Sequence, residues 1–190
     1  MENKYESKIL TIAIPAYNIE TYIDRAVSGL LACNHLSSID VIVINDGSTD
    51  STLQRALVYA EHYPGSVRVI DKPNGHYGSA VNAAIEEAKG VYFKILDGDD
   101  EYYPDGLDEL VSFLSSSDQP DMVLTDYEIE YEKTGKAVCY RQELVPRKTV
   151  PFESADLHPC AMHAMAIKTA LLRAMDERLD EGVSFTDVEF

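Results

Sequence analysis

The fold is most constrained by an alternation of short apolar runs with stretches of helical periodicity. The apolar runs are rich in Ile and Val, which is typical of strands buried on both faces of a sheet; they cover residues 9–14, 39–44, 67–70, 91–96 and 122–126. Apolar residues recur at helical spacing between these runs, in stripes that begin at Ile23, Leu53, Val81 and Leu107. This alternation predicts an α/β domain with a doubly wound, mostly parallel sheet and helices on both faces.

The pattern changes after Tyr127. In "YEIEYEKTGKAVCYR" apolar and acidic residues alternate around a "KTGK" turn, which predicts a small β-hairpin with one solvated face. The remaining tail is expected to hold one helix, near residues 169–175. Because the tail stops at "SFTDVEF" without a terminating helix or cap, we expect residues 1–190 to form one domain that is truncated at its C-terminus.

The charge balance limits the partners of the chain. Its 190 residues include 33 acids against 16 Lys and Arg, for a formal net charge of -17. Such a surface repels nucleic acids and anionic lipids, and a phosphorylated ligand would need a cation in order to bind. No apolar run approaches the roughly 18 residues of a transmembrane helix. We therefore expect a cytoplasmic location, at the inner face of the membrane if missing C-terminal parts attach it there.

Three cysteines are spaced far apart along the chain, at Cys33, Cys139 and Cys160. An odd number of widely separated cysteines indicates reduced thiols rather than a disulfide framework.

Polar residues follow four of the predicted strands, in "PAYN" at 15–18, "NDGSTD" at 45–50, "DKPNGHYG" at 71–78 and "DGDD" at 97–100. The carboxyl ends of parallel strands share one edge of a sheet, where ligands bind. That edge would gather five acids, Asp46, Asp71, Asp97, Asp99 and Asp100. Because like carboxylates repel one another, a divalent cation such as Mg²⁺ or Mn²⁺ is expected there, with a diphosphate completing its shell.

Simpler interpretations exist for these motifs. "DGDD" also fits a solvated turn before a helix N-terminus, where acids are favoured. In "NDGSTD", Ser48, Thr49 and Asp50 are good N-caps for the helix that follows.

A zinc site is an alternative interpretation of "HPCAMH", with His158, Cys160 and His163 as ligands. This motif lacks a fourth ligand at the spacing that zinc sites use.

Taken in order, "IPAYN", "VINDGSTDST", "KPNGHYGSAVNAAIEEAKGVYFKILDGDD" and "FTDVEF" resemble the family 2 glycosyltransferases, inverting enzymes of the GT-A nucleotide-diphospho-sugar fold. The resemblance covers nearly the whole chain. It implies metal-dependent transfer of a sugar from a nucleotide-sugar, most simply a UDP-sugar, to a saccharide or lipid-linked acceptor in bacterial cell-surface polysaccharide synthesis. Residues 1–127 would form the nucleotide-binding half, and residues 128–190 the acceptor side.

The resemblance also assigns roles to residues of the donor site. The nucleotide base would contact the loop after the first strand and one acid after the second, namely Pro15, Ala16, Tyr17, Asn18 and Asp46. Residues 74–82, with Asn74 and Gly78, match the segment near the ribose and donor sugar. Val81 stands where the family commonly has Arg.

The resemblance assigns metal binding and catalysis to acids in the two remaining motifs. The D-x-D motif matches Asp97-Gly98-Asp99, which implies Asp99 as the direct metal ligand, Asp97 near both ribose and metal, and Asp100 as a further candidate. "TDVEF" resembles the acidic catalytic motif, with Asp187 as the base. Such enzymes also carry a His beside the acceptor site, so His163 could help shape that pocket, although packing is the role that we expect for it first.

Two other functions stay open at this point. A sugar-phosphate nucleotidylyltransferase uses a related sheet but carries a Gly- and Arg-rich loop after the first strand, so "PAYN" argues against it. A non-catalytic module that binds a nucleotide-sugar or a partner would keep "NDGSTD" and "DGDD" while losing the base.

Overall fold

A single large sheet carries the loops in which the polar motifs lie. The computed structural model describes residues 8–116, 119–131, 133–142, 145–146, 148–152 and 161–183. The strands are β1 (Leu10–Ala16), β2 (Ile39–Asp46), β3 (Val67–Lys72), β4 (Tyr92–Ile95), β5 (Met122–Leu124), β6 (Tyr127–Tyr131), β7 (Lys136–Tyr140) and β8 (Met165–Lys168). The α-helices are α1 (Ile23–Leu31), α2 (Thr52–His62), α3 (His76–Glu87), α4 (Pro104–Leu114) and α5 (Thr169–Ala174). In these ranges, the helices are too short or too polar to cross a bilayer.

The order of the strands in the main sheet is β3-β2-β1-β4-β8-β5. β1 is parallel to both β2 and β4, and β2 is parallel to β3, as successive βαβ units require. The doubly wound, mostly parallel sheet of the prediction is therefore confirmed. β8 was not predicted: it lies between β4 and β5, antiparallel to both, in a stretch that the sequence pattern left irregular.

Two apolar cores lie on opposite faces of this sheet, because side chains of a strand alternate between its faces. One core joins Ile12, Ile14, Val41 and Val43 to helices α1, α2 and α4. The other joins Ala13, Ile42, Ile44, Phe93 and Ile95 to helix α3. Helices on both faces hold β1, β2 and β4 rigidly, so the loops at their carboxyl ends start from fixed positions.

The predicted hairpin is also present, as β6 and β7 paired with Tyr127 opposite Tyr140. The rings of these two tyrosines stack with their centroids 5.0 Å apart. The expectation of only one solvated face was wrong, because nearly all residues of both strands are exposed. Both faces of a two-stranded ribbon reach solvent once it leaves the main sheet.

One face of helix α3 holds a later part of the chain. Gly78 and Asn82 lie on this face, and residues 179–182 run across it. Gly75, just before the helix, accepts a hydrogen bond from the N–H of Gly182 at 3.0 Å. Asn82 donates to the carbonyl of Leu179 at 2.9 Å and accepts from the Leu179 N–H at 3.2 Å. A Cβ at Gly78 would overlap the carbonyl oxygen of Asp180. Gly78, which leaves room for the backbone, and the amide of Asn82 thus hold residues 179–182 on helix α3.

Candidate functional site

The loops after β1 and β2 are tied together at the carboxyl edge of the sheet. Asn18, which has a left-handed φ of 54°, accepts a hydrogen bond from the Thr49 N–H at 2.8 Å. Its own N–H donates to Oγ of Ser48 at 3.0 Å. Asp50 accepts from the N–H of Thr52 at 3.0 Å and from that of Glu20 at 3.1 Å. The N-cap of α2 is Ser51 rather than one of the predicted residues, but Asp50, one residue earlier, satisfies the first N–H of the helix. The same motif also fixes the loop that was predicted to contact a nucleotide base.

Asp46 ends β2 as a buried carboxylate that is 3% exposed. Lys72 stands directly opposite it in the register of β2 and β3, and Nζ of Lys72 lies 2.6 Å from Oδ1 of Asp46. The N–H of Gly75 donates to the same oxygen at 3.0 Å. Asp71 accepts a hydrogen bond from the amide of Asn45 at 2.7 Å. The repulsion expected among the acids of this edge is therefore offset in part by groups of the chain itself.

The acids after β4 form a second cluster with a histidine. Asp97, Asp100 and His163 each offer one ligand atom, and the three atoms lie within 4.8 Å of one another. His163 reaches this place because β8 is antiparallel to β4, which brings the residues before β8 to the carboxyl end of β4. Nδ1 of His163 is 3.8 Å from Oδ2 of Asp97. Two carboxylates and one imidazole at this separation can bind a divalent cation.

Electrostatic crowding is evident at Asp100. Desolvation raises the pKa of this carboxyl, and the neighbouring carboxylates of Asp97 and Asp99 raise it further, against the opposing effects of His163 and Arg25. A carboxylate in such surroundings gains stability from any added positive charge. The donor atoms of this cluster are suitable ligands for a metal ion, and the positive charge of such an ion would offset the negative charge around Asp100.

Asp99 lies outside this group of three. Asp99 and Asp100 are both exposed, but only Asp100 belongs to the group formed with Asp97 and His163. The backbone carbonyl of Asp99 accepts a hydrogen bond from the guanidinium of Arg25. The ligand order expected from the D-x-D motif, with Asp99 first, differs from this geometry, which favours Asp97 and Asp100.

The remaining residues predicted for the donor site differ in exposure. Ala16 is buried, Pro15 is half-buried, and Tyr17 exposes 53% of its surface beside them. Asn74 is exposed and accepts a hydrogen bond from the N–H of His76 at 3.3 Å. Gly78 is buried against Asp180, so the structure gives it a packing contact.

Some predicted residues cannot be placed. Asp187, the predicted base, lies outside the described residues, as do His158 and Cys160 of the zinc alternative.

An open cleft of about 1630 Å³ begins beside this site. Asp99, Asp100 and His163 are among its lining residues, together with residues of α4, β5 and the β6–β7 hairpin. The rings of His163 and Tyr127 of the hairpin pack in a T-shaped arrangement, with centroids 4.8 Å apart. His163 therefore joins the acidic cluster to the wall of the cleft.

Two residues with polar contacts in the site, Lys72 and Tyr77, did not stand out in the sequence, and His163 was predicted for another role. The signal for Lys72 was its place at the end of β3, opposite Asp46 in the register. Tyr77, at the start of α3, donates its hydroxyl to Oδ1 of Asp97 at 2.7 Å. No sequence signal identified Tyr77, since its contact depends on the turn before α3.

Solved structures with the same architecture are glycosyltransferases of the GT-A fold. S. aureus TarS 1–349 in complex with UDP-GlcNAc superposes with a TM-score of 0.68 at 22% identity, over 94% of this chain and 51% of that one. The mannosyltransferase PcManGT from Pyrobaculum calidifontis, in complex with GDP-Man and Mn²⁺, gives a TM-score of 0.67 at 18% identity, over 94% of this chain and 49% of the other. At these identities the likeness establishes the fold class.

The family follows from the sequence itself. Residues 11–174 match the profile of glycosyl transferase family 2, and the chain belongs to that family. An uncharacterized glycosyltransferase of Rickettsia prowazekii is 31% identical over 186 residues, which are 94% of this chain and 57% of the relative. The chain thus spans little more than half the length of this relative and about half of each of the two solved structures.

Proposed function

We propose that this chain is the donor- and metal-binding part of an inverting, metal-dependent glycosyltransferase that uses a nucleotide-sugar. The observation that carries the proposal is the cluster of Asp97, Asp100 and His163 at the carboxyl end of β4. It lies at the edge where parallel α/β sheets bind ligands, beside the loops after β1 and β2. Such a cluster lets a protein with a net charge of -17 bind a diphosphate through a cation.

The cation that best fits these residues is Mn²⁺. Mg²⁺ prefers oxygen ligands only, whereas an imidazole nitrogen beside two carboxylates suits a transition metal of intermediate softness. When bound, the cation stabilises the negative charge that develops on a departing nucleoside diphosphate.

Donor binding is proposed for the edge between the β1 and β2 loops and the metal cluster. Pro15, Ala16, Tyr17, Asn18 and Asp46 would contact the base, and Asp97 would lie near the ribose. Asp46 is held by Lys72 and Gly75 through one oxygen, Oδ1. An oriented carboxylate accepts a hydrogen bond from a ring N–H, a group that both uracil and guanine possess. Uracil is the base we propose, in a UDP-sugar, and guanine, in a GDP-sugar, is the alternative that the experiment must separate.

The acceptor is proposed to enter the cleft along the β6–β7 hairpin, so that residues 128–190 form the acceptor side. Asp187 would accept the proton of an acceptor hydroxyl. That oxygen would then attack the anomeric carbon from the face opposite the diphosphate as the bond from this carbon to the diphosphate oxygen breaks, so that the nucleoside diphosphate leaves and the configuration is inverted. Leu179, eight residues earlier in the sequence, is held on α3 by Asn82. A role in cell-surface polysaccharide synthesis, in the cytoplasm, belongs to the same proposal.

The test is a thermal-shift and calorimetry panel of UDP, GDP and their sugars, with and without Mn²⁺. A ligand present at a hundred times its Kd stabilises the native state by about 2.7 kcal/mol. We expect UDP to raise the melting temperature more than GDP, and only with Mn²⁺. Asp100→Asn should remove the metal-dependent part of the shift and Asp99→Asn should retain most of it. If Asp99→Asn loses the metal-dependent shift and Asp100→Asn retains it, Asp99 rather than Asp100 is the metal ligand.

The base is tested in the full-length protein. Asp187→Asn should retain UDP and Mn²⁺ binding but lose sugar transfer, whereas undiminished turnover would exclude Asp187 as the base. A full-length protein that binds UDP-sugar with Mn²⁺ but transfers nothing to any hydroxyl acceptor, water included, would be a binding module instead.

A further inference from the structure

The hydroxyl of Tyr77 joins helix α3 to the acid that ends β4. It donates to Oδ1 of Asp97 at 2.7 Å. The other oxygen of this carboxylate, Oδ2, faces Nδ1 of His163 at 3.8 Å. The two oxygens of Asp97 therefore have different neighbours, one a hydroxyl donor and the other a member of the proposed metal site.

The turn that presents Tyr77 has an unusual backbone. His76 has a φ of 66°, in the left-handed region that non-glycine residues rarely adopt. It separates Gly75, whose N–H donates to Oδ1 of Asp46 at 3.0 Å, from Tyr77. Backbone strain of this kind persists where the surrounding structure enforces it, and it is concentrated at functional sites. One turn of three residues thus holds both Asp46 and Asp97.

We infer that Tyr77 is the positioning residue of the metal site, an inference that rests on the proposed metal dependence. By bonding Oδ1, the Tyr77 hydroxyl fixes the rotation of the Asp97 carboxylate and leaves Oδ2 directed toward the cation and His163. Partners of this kind orient metal ligands and raise metal affinity, because the ligand is already ordered before the ion arrives. Loss of the hydroxyl removes this restraint on Oδ1, and the terminal torsion of an aspartate is otherwise broad.

A packing role alone is the competing explanation for Tyr77. Its ring is half-buried against the core on the α3 side of the sheet, which includes Met162. Tyr77→Phe separates the two roles, since phenylalanine retains the ring and removes only the hydroxyl. A residue that merely packs would then leave metal affinity unchanged.

Tyr92→Phe is the matched control. Tyr92 belongs to β4, the strand that also leads to Asp97, and its hydroxyl donates to the carbonyl of Pro120 at 2.8 Å. The control therefore also removes one hydrogen-bonded hydroxyl from a well-packed tyrosine, but away from the acidic cluster. Asp97→Asn serves as the reference for loss of the ligand itself.

The experiment is a Mn²⁺ titration followed by EPR of the free ion, on unaltered protein and the three variants, without nucleotide and again with UDP. Melting curves without metal check that each variant is folded. We expect Tyr77→Phe to weaken Mn²⁺ binding about tenfold, Asp97→Asn to weaken it more, and Tyr92→Phe to leave it within about twofold of the unaltered protein.

The outcomes separate this inference from the proposed function. If the unaltered protein binds Mn²⁺ and Asp97→Asn loses it, but Tyr77→Phe binds as the unaltered protein does, the positioning role is wrong and metal dependence stands. An unaltered protein that binds no Mn²⁺ overturns the metal dependence, and the role of Tyr77 with it. Equal losses in Tyr77→Phe and Tyr92→Phe would likewise overturn the inference, since both would then act through general packing.

Discussion

Nζ of Lys72 lies 2.6 Å from Oδ1 of Asp46, across two neighbouring parallel strands, and the side chain of Asp46 is only 5% exposed. A carboxylate at this depth depends on its partner, because it has lost most of its water. Lys72→Met would leave the charge without a cation, and breaking a buried pair on one side costs about 3 kcal/mol. We expect this loss in urea unfolding at pH 7 without nucleotide.

Lys168→Met is the control for this prediction. Lys168 makes an ion pair of similar length, 2.8 Å, with Asp121, whose side chain is 73% exposed. An exposed pair contributes less than about 1 kcal/mol because water screens it. Equal losses in the two variants would contradict the view that burial of Asp46 makes Lys72 structurally important.

Gly78 should be intolerant of any side chain. A Cβ there would overlap the Asp180 carbonyl, so Gly78→Ala must displace residues 179–182 from helix α3. Helix propensity alone would favour alanine by about 1 kcal/mol. A lower melting temperature would therefore report the clash, and hydrogen exchange measured by mass spectrometry should rise in residues 179–182.

Gly65→Ala is the control variant, and it should change stability in the opposite direction. Nothing lies within 4 Å of a Cβ at Gly65. Alanine there restricts the unfolded chain and should stabilise the protein by about 0.4 kcal/mol or more. If Gly78→Ala melts at as high a temperature as Gly65→Ala, and hydrogen exchange in residues 179–182 is unchanged, the docking of these residues on α3 is refuted.

Arg68 should not tolerate lysine. Its guanidinium bonds both oxygens of Asp40, at 2.9 and 3.0 Å, and Asp40 is 1% exposed. Lysine cannot reproduce two parallel hydrogen bonds, so Arg68→Lys should cost about 2 kcal/mol in denaturant unfolding.

Arg55→Lys tests this reasoning on an exposed pair. Arg55 and Asp24 are each nearly half exposed, and their contact should tolerate lysine with a change of about 0.5 kcal/mol or less. Comparable effects at Arg55 and Arg68 would mean that the bidentate geometry at Asp40 contributes little.

The parts of the site that sequence reasoning predicted are those that follow directly from parallel strands. Near-continuous apolar runs locate β1, β2 and β4, and the acids after them must then share an edge. His163 joins the acids only because β8 inserts between β4 and β5. β8 has four residues, too few for a period to separate a strand from a helix. Tyr77 depends on the left-handed turn at His76, which no propensity predicts.

Cys33 should be inert toward alkylation while Cys139 reacts. Cys33 is buried at 5% exposure, and burial together with a hydrogen bond to Asp108 raises the pKa of its thiol from 9.0 to about 12. Since the thiolate is the nucleophile, iodoacetamide at pH 8 should label the exposed Cys139 and leave Cys33 unlabelled until the protein is unfolded. Peptide mapping by mass spectrometry decides this, and labelling of both at similar rates would contradict the burial of Cys33.

The raised pKa of Cys33 also makes the stability of the protein depend on pH. Because the folded state retains the thiol proton to higher pH than the unfolded state, the contribution of the protonated thiol to stability is present below pH 9 and is lost as the pH rises toward 12. Cys33→Ser cannot titrate in this range, so its stability should fall less steeply between pH 9 and 11 than that of the unaltered protein.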